Sequence, residues 1–209
     1  GRNAHNGWYS LLLAAFLISV AAGTAPAQEV VRPPAVAGSF YPADPAVLTR
    51  EVDSRLISGS EDGKAGGTIR AILVPHAAHR FSGDVAGRVY GLVRDHPYEA
   101  VVIVAPSHRA GFRGASIYPG EALSTPLGDV PIHLPIARRL AAVDDSIAFS
   151  AWGYQEEHSV EVQLPFLQRS LPGVPVVPLV VGYQSLDLGF HLSRTLSAVL
   201  GGHDVLLVA

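Results

Sequence analysis

Two buried apolar runs in this sequence end alike, with a proline and then a histidine. The motif "ILVPH" ends in His76, and the motif "IVAPSH" ends in His108. Such runs are typical of parallel strands, whose carboxyl ends meet at one edge of a sheet, where open α/β sheets place ligands. Pairs of neutral imidazoles bind zinc, iron, copper or nickel, usually with a carboxylate or a third histidine. The sequence therefore predicts a metal site at this edge, with His76 and His108 as ligands.

Two further histidines could contribute to the same site. His158 lies in "EEHSVEV", beside Glu157, at the predicted start of a helix. Acidic residues there also favour the helix dipole, so a purely electrostatic interpretation is equally compatible with the pattern. His79 follows His76 by three residues and is either a fourth polar group of the pocket or a loop residue. The remaining histidines have no companion motif and are interpreted as structural or solvated: His5, His96, His133, His191 and His203.

The elements that must position these residues alternate between strands and helices. Apolar runs predict strands at 69–75, 100–106, 175–181 and 204–209. Apolar spacing predicts helices at 45–57, from Ser82 to about Leu92, at 136–143, at 157–170 and at 188–199. Asp44 and Ser82 are predicted to cap the first two of these helices, and Pro165 is predicted to kink or bound the fourth. Turn residues at 125–129 predict a hairpin or an excursion near the end of the sheet. These βαβ units predict an α/β fold with a central, mostly parallel sheet.

Composition and missing motifs exclude several functional classes. The 209 residues are 48% hydrophobic and 16% charged, with a net charge of -3, which suits one domain with a substantial core. No basic stripe is present, so we expect no nucleic-acid partner. The chain has no cysteine, no glycine-rich phosphate-binding motif and no H-E-x-x-H motif. Ser107 beside His108 suggests a serine hydrolase, but "APSHR" lacks the G-x-S-x-G turn that such enzymes use.

The first 27 residues differ in composition from the rest. Arg2 precedes a nearly apolar stretch, and Ala25-Pro26-Ala27 fits a small-x-small cleavage site, which predicts a secretory signal peptide over residues 1–27. The alternatives are an uncleaved membrane anchor, for which the stretch is short, and a buried helix. We expect an exported or periplasmic protein without a stable membrane span after cleavage; without a signal peptide it would be cytoplasmic. The last run, "HDVLLVA", lacks a following turn, so we expect the domain over 28–209 to be truncated at its C-terminus.

Five longer motifs occur in a fixed order: "PAVAGSFYP" at 34–42, "VPHAAHRFSG" at 74–83, "APSHRAGF" at 105–112, "STPLGDV" at 124–130 and "EEHSVEVQLPFL" at 156–167. Together they resemble the Memo family, which includes the bacterial proteins called AmmeMemoRadiSam system protein B. The resemblance covers residues 32–209 and implies a three-layer α/β sandwich like that of class III extradiol dioxygenases. It also implies that His76 and His108 bind iron or copper and that His158, in the matching Glu157-His158-Ser159 motif, lines the pocket.

The chain departs from the family pattern beside the first histidine. Ala78 and His79 stand where family members carry a glycine and an aromatic residue, so we expect a different pocket rim with an extra imidazole near the metal. The substrate is expected to differ as well.

The resemblance implies a redox-active non-haem metal protein or an oxygenase-like enzyme. Fe(II) or copper would lie on His76 and His108, with His158, His79 and Glu157 as the candidate catalytic residues for proton transfer. The alternative is a non-catalytic module that binds a metal ion, a small molecule or a peptide in the same pocket. A third hypothesis is a partner of radical-SAM and AMMECR1-like proteins, as the name of the bacterial system suggests.

Overall fold

The fold is built around a six-stranded, mostly parallel sheet. The computed structural model describes residues 30–60 and 67–209, so the predicted signal peptide lies outside the described residues. The strands are β1 (Val31–Arg32), β2 (Ala71–Ile72), β3 (Ala100–Pro106), β4 (Ala115–Ile117), β5 (Ala122–Thr125), β6 (Gly128–Pro131), β7 (Ile147–Phe149), β8 (Val176–Val181) and β9 (Val205–Val208). The large sheet has the order β2-β9-β3-β8-β4-β7. Strands β2, β9, β3 and β8 are parallel, which confirms the predicted sheet.

Helices flank this sheet in two groups. They are α1 (Pro45–Ser60), α2 (His79–Gly91), α3 (Leu134–Val143), α4 (Leu164–Ser170) and α5 (Leu186–Leu200). Helix α1 packs on α2 and α4, and α3 packs on α5. The sheet and the two groups form the layers of the predicted sandwich. Across residues 30–60 and 67–209, no helix combines the length and apolarity needed to cross a membrane.

Polar caps define where two of the helices begin. The carboxylate of Asp44 accepts a hydrogen bond from the backbone N–H of Val47 at 2.8 Å, as predicted for the start of α1. The hydroxyl of Ser185 accepts one from the backbone N–H of Leu188 at 3.1 Å and caps α5. Each side chain satisfies an N–H group that has no partner within its helix, so the residue type sets the helix start locally.

The segment around the first histidine differs from the prediction. The strand expected at 69–75 is only Ala71–Ile72. Helix α2 begins at His79, so the prediction that Ser82 caps this helix was wrong. The backbone N–H of His79 donates instead to the carbonyl of Phe40 at 2.8 Å. The first backbone N–H of this helix is therefore satisfied by a carbonyl of a distant segment and not by a local side chain.

The predicted helix over 157–170 is shorter in the structure. Residues Glu161–Gln163 form a single 3-10 turn, and α4 begins at Leu164. Pro165 lies in the first turn of α4, where its missing N–H costs no helical hydrogen bond. Pro165 was predicted either to kink this helix or to bound it, and in the structure it lies at the helix boundary.

A small second sheet lies beside the main one. Strands β5 and β6 pair antiparallel, with Thr125 opposite Gly128, so the predicted hairpin is confirmed. Gly128 has a φ of 107°, a backbone conformation that favours glycine in a tight turn. Strand β1 adds to β5 in parallel and ties the start of the described chain to this sheet.

Candidate metal and acid/base site

Three histidine rings converge beyond the carboxyl ends of the parallel strands. Strand β3 ends at Pro106, just before His108, and His76 follows β2 after a short extension. The ring centres of His76 and His108 are 5.2 Å apart, and those of His108 and His158 are 4.5 Å apart. The ring centres of His76 and His158 are 6.3 Å apart. The ring of Phe40 lies 4.6 Å from that of His158 and covers one side of the cluster.

A buried carboxylate holds two of these residues. Glu157 accepts hydrogen bonds from the backbone N–H groups of His108, of His158 at 2.7 Å and of Ser159 at 2.9 Å, and its Oε1 lies 3.1 Å from Nδ1 of His108. Burial raises the pKa of Glu157, but these hydrogen bonds, led by the backbone N–H of His108, outweigh burial and lower the pKa to about 2. The carboxylate is therefore ionised at neutral pH.

The surroundings of the rings favour neutral imidazoles. Burial, reinforced by the nearby His108, lowers the pKa of His76. Burial also lowers the pKa of His158, and the charge of Glu157 opposes this shift only in part. Both metal binding and proton abstraction need the neutral form, so His76 and His158 are available for this chemistry at neutral pH.

The spacing of the rings fits imidazoles that share one metal ion. With a metal–nitrogen bond of about 2.1 Å and a ring centre about 1.1 Å beyond the nitrogen, two such rings lie about 4.5–6.5 Å apart for bond angles of about 90–180°. The observed separations of 4.5, 5.2 and 6.3 Å lie in this range. Among the described residues, ligand atoms of His108, Glu157 and His158 all lie within 4.8 Å of one another, and the ring of His76 lies beside this group. Imidazole nitrogens close to a carboxylate are a donor set that fits a metal ion.

One short segment, residues 157–163, orients all three histidines. Its alternate residues are polar and buried: Glu157, Ser159, Glu161 and Gln163. The hydroxyl of Ser159 donates to the carbonyl of Pro106 at 2.8 Å, just before His108. The amide of Gln163 donates to the carbonyl of Pro75 at 3.4 Å, just before His76. The hydroxyl of Tyr90 in turn donates to Gln163 at 2.9 Å, so that amide is itself fixed.

Glu161 anchors the N-terminal segment to the site. Its carboxylate accepts hydrogen bonds from Arg32 at 2.6 Å, from two backbone N–H groups at 35–36 at 2.8 and 2.9 Å, and from the Tyr41 hydroxyl at 2.6 Å. The side chains of Arg32 and Glu161 are 7% and 0% exposed, so this ion pair is fully buried. Arg32 also donates to the carbonyl of Glu157 at 2.6 Å and thereby supports the loop that carries His158.

His79 does not reach the cluster. Its side chain is 2% exposed and lies between the rings of Tyr41 and Phe166, at 5.4 and 4.7 Å. Its Nε2 lies 3.0 Å from the carbonyl of Val162, and its Nδ1 lies 3.3 Å from the carboxylate of Glu51. Both ring nitrogens therefore have partners within the fold. The expectation of an extra imidazole near the metal is not met by this geometry, and we leave His79 out of the proposed site.

The other described histidines lie in polar contacts elsewhere. They pair with acidic residues or cap a helix: His96 with Asp204 at 3.4 Å, His191 with Asp144 at 2.9 Å, His203 with Glu99 at 2.9 Å, and His133 at the start of α3, where Nδ1 accepts the backbone N–H of Ile136 at 3.2 Å. These contacts agree with their interpretation as structural residues. His5 lies outside the described residues.

Sequence reasoning missed the residues that support the histidines. The sequence patterns assign no role to Arg32 or Gln163. They place Glu161 only among the acidic residues near His158. A usable signal was present, because "EHSVEVQ" places a polar residue at every second position of an otherwise apolar stretch. Buried polar groups need partners, so such a pattern indicates a segment that makes several long-range hydrogen bonds.

This chain is similar to a known protein family and to several of its members. A family described as "Memo-like protein" matches residues 32–209. A MEMO1 family protein of Aquifex aeolicus is 37% identical over 179 residues, covering 85% of this chain and 65% of the relative. One of Caldivirga maquilingensis is 33% identical over 190 residues, covering 86% of this chain and 67% of the relative. One of Thermococcus kodakarensis is 33% identical over 187 residues, covering 86% and 64%.

This chain thus spans about two thirds of the length of these relatives. A solved structure of an uncharacterized protein from Escherichia coli K12 is 20% identical, with a TM-score of 0.42 over 68% of this chain and 59% of that chain, a likeness too distant to bear on function. The five motifs and the family match lead to one conclusion. The chain belongs to the Memo family.

Proposed function

We propose that this chain carries a redox-active metal centre with oxygenase-like chemistry. In this proposal His76 and His108 bind Fe(II) or copper, and His158 is the acid/base group. The observation that supports it best is the convergence of the three imidazole rings beyond the ends of the parallel strands, with the ring centres of His76 and His108 5.2 Å apart. When bound, such a metal would supply one-electron chemistry and open positions for oxygen or substrate.

The residues of this chain would prepare the site in three ways. Burial keeps His76 neutral, with a lone pair for metal binding. Glu157 holds the ring of His108 through Nδ1, so the ring does not have to be ordered on binding. Phe40 lies against His158 and excludes water from one side of that ring. His158 is neutral at neutral pH and can therefore accept a proton from a bound substrate group and return it later.

Metal analysis of the whole chain tests this proposal. The protein is produced with iron, copper and zinc available, and its metal content is measured by mass spectrometry beside that of a His76→Ala, His108→Ala double variant. We expect about one iron or copper per chain in the parent protein and none in the double variant. His203→Ala is the matched control, because His203 pairs with Glu99 away from the cluster and should leave the metal content unchanged.

A third variant separates the two roles within the cluster. With ascorbate added as the electron donor for oxygen reduction, we expect His158→Ala to retain the metal while oxygen uptake by the loaded protein falls about 100-fold or more, the range expected for loss of a general base. Loss of the metal in His158→Ala would instead make His158 a ligand. A folded parent protein without iron or copper would refute the proposed centre. Bound metal without oxygen uptake or redox cycling would favour a metal-binding module without turnover.

A further inference from the structure

We propose that Glu157 is a positioning residue that fixes the Nδ1–H form of His108 and presents its Nε2 lone pair to the pocket. It would be neither a metal ligand nor a proton-transfer group. The inference deepens the proposed metal centre and rests on it for its functional meaning. The hydrogen-bonding arrangement that it describes can be tested without any metal.

Distance alone would allow Glu157 to be a ligand. Candidate donor atoms of His108, Glu157 and His158 all lie within 4.8 Å of one another. However, Oε1 already accepts the backbone N–H groups of His158 and Ser159 and lies 3.1 Å from Nδ1 of His108, so its two lone-pair sites are used. Oε2 accepts the backbone N–H of His108. The side chain is only 1% exposed, and both of its oxygens face protein donors.

The same arrangement determines which nitrogen of His108 carries the proton. Nδ1 of His108 lies 3.1 Å from Oε1 of Glu157. Oε1 already accepts the backbone N–H groups of His158 and Ser159, and Oε2 accepts that of His108, so both oxygens act as acceptors and Nδ1 is the donor. A neutral imidazole carries one ring proton, and its other nitrogen then has a free lone pair. Nε2 of His108 is thus the nitrogen left for a metal ion.

Glu157 also influences the second ring that it contacts. Nδ1 of His158 lies 3.4 Å from the same oxygen, although the two atoms make no hydrogen bond. The negative charge at this distance favours a proton on Nδ1 of His158 as well. One buried carboxylate thus lies beside two imidazoles of the cluster. Removal of such a hydrogen-bonding partner typically changes metal affinity about 10–100-fold.

NMR of the histidine rings in the metal-free protein tests the arrangement directly. The chain is labelled with ¹⁵N and studied at mildly alkaline pH, and the signals of His108 are assigned from their loss in His108→Asn. We expect the Nδ1–H form of His108 in the parent protein. The Nε2–H form would overturn the proposal. This measurement needs no metal, so it remains decisive if the proposed metal centre itself fails.

Titration with Co²⁺ tests the functional meaning. We expect Glu157→Gln to weaken Co²⁺ affinity about 10–100-fold, because the glutamine NH₂ group would face N–H donors. The visible spectrum of the Co²⁺-saturated variant should equal that of the parent, since no ligand is lost. Glu157→Asp keeps the charge and should recover part of the affinity. A changed spectrum at saturation would make Glu157 a ligand, and unchanged affinity would remove its positioning role.

A matched control separates positioning from general destabilisation. Asp144→Asn also disrupts a buried carboxylate with several hydrogen bonds, but its partners are Ser146, His191 and Thr195, outside the histidine cluster. We expect Co²⁺ affinity within about threefold of the parent for Asp144→Asn and for the exposed Glu156→Gln. An equal loss in Asp144→Asn and Glu157→Gln would assign the effect to stability and overturn the proposal. A parent protein that binds no Co²⁺ would refute the metal centre, and the ring NMR would then decide the role of Glu157 alone.

Discussion

The buried pair of Arg32 and Glu161 offers a quantitative test of how the site is held together. Replacing Glu161 by Gln keeps the size of the side chain but removes the charge that faces Arg32. It also turns an NH₂ group toward a backbone N–H donor, either that of Ala35 beside Arg32 or that of Val36 beside Tyr41. The substitution therefore leaves a buried cation without compensation and a backbone donor without an acceptor.

The expected cost follows from burial. Breaking a buried ion pair by removing one partner costs about 3–5 kcal/mol, because the remaining charge stays desolvated. We expect Glu161→Gln to lower the free energy of unfolding by this amount, a large part of the about 5–15 kcal/mol typical of a domain. Arg32→Met should cost a similar amount. The double variant should cost less than the sum, with a coupling energy of about 1–3 kcal/mol.

Urea unfolding followed by circular dichroism measures these differences. Asp53→Asn provides the control, because Asp53 bonds Arg169 at 2.7 and 2.9 Å while the two side chains remain 31% and 39% exposed. Water screens that pair, so we expect a loss of only about 0.2–1 kcal/mol. A cost below about 1 kcal/mol for Glu161→Gln, or strict additivity with Arg32→Met, would refute the account of a buried, coupled pair.

Two further predictions concern backbone packing and acid stability. A Cβ on Gly182 would lie 2.0 Å from the carbonyl oxygen of Phe112, whereas nothing lies within 4 Å of one on Gly189 in α5. Thermal unfolding should therefore show Gly182→Ala destabilised by more than about 2 kcal/mol and Gly189→Ala stabilised by about 0.4–1 kcal/mol; equal effects would contradict the packing. Burial raises the pKa of Asp144, but hydrogen bonds, led by that from Ser146, outweigh burial and hold the pKa well below its usual range. The Asp144 carboxylate binds a proton more readily in the unfolded chain, so its contribution to the free energy of unfolding is present above the usual aspartate pKa and is lost as pH falls below it. Asp144→Asn should therefore be less stable at neutral pH, and its stability should depend less on pH in acid. An unchanged acid dependence would contradict this assignment.

Much of the α/β fold could be predicted from local patterns. The runs that became β3 and β8 are continuous and apolar because parallel strands are buried on both faces. The cap of α1 followed from residue type, because Asp44 satisfies a neighbouring N–H group, whereas the cap of α5 by Ser185 was not predicted. The start of α2 could not be predicted in this way, since the partner of its first N–H is the carbonyl of Phe40.

The same distinction applies to the site. His76 and His108 could be paired from sequence because each follows an apolar strand and parallel strands share an edge. His79 lies only three residues from His76, yet helix α2 turns its ring toward Val162 and Glu51. Nearness along the chain therefore could not separate a pocket histidine from a packed one.

The sequence by itself determined the α/β class with a mostly parallel sheet, the edge of the sheet where chemistry is expected and the two histidines that follow its strands. These features depend on periodicity and residue type, which act over a few neighbouring residues. Only the tertiary structure decided that Glu157 contacts His108, that Glu161 pairs with Arg32, and that His79 packs in the core. Each of these assignments depends on which buried polar groups meet across distant segments, because a desolvated charge or N–H group must find its partner wherever the fold brings one.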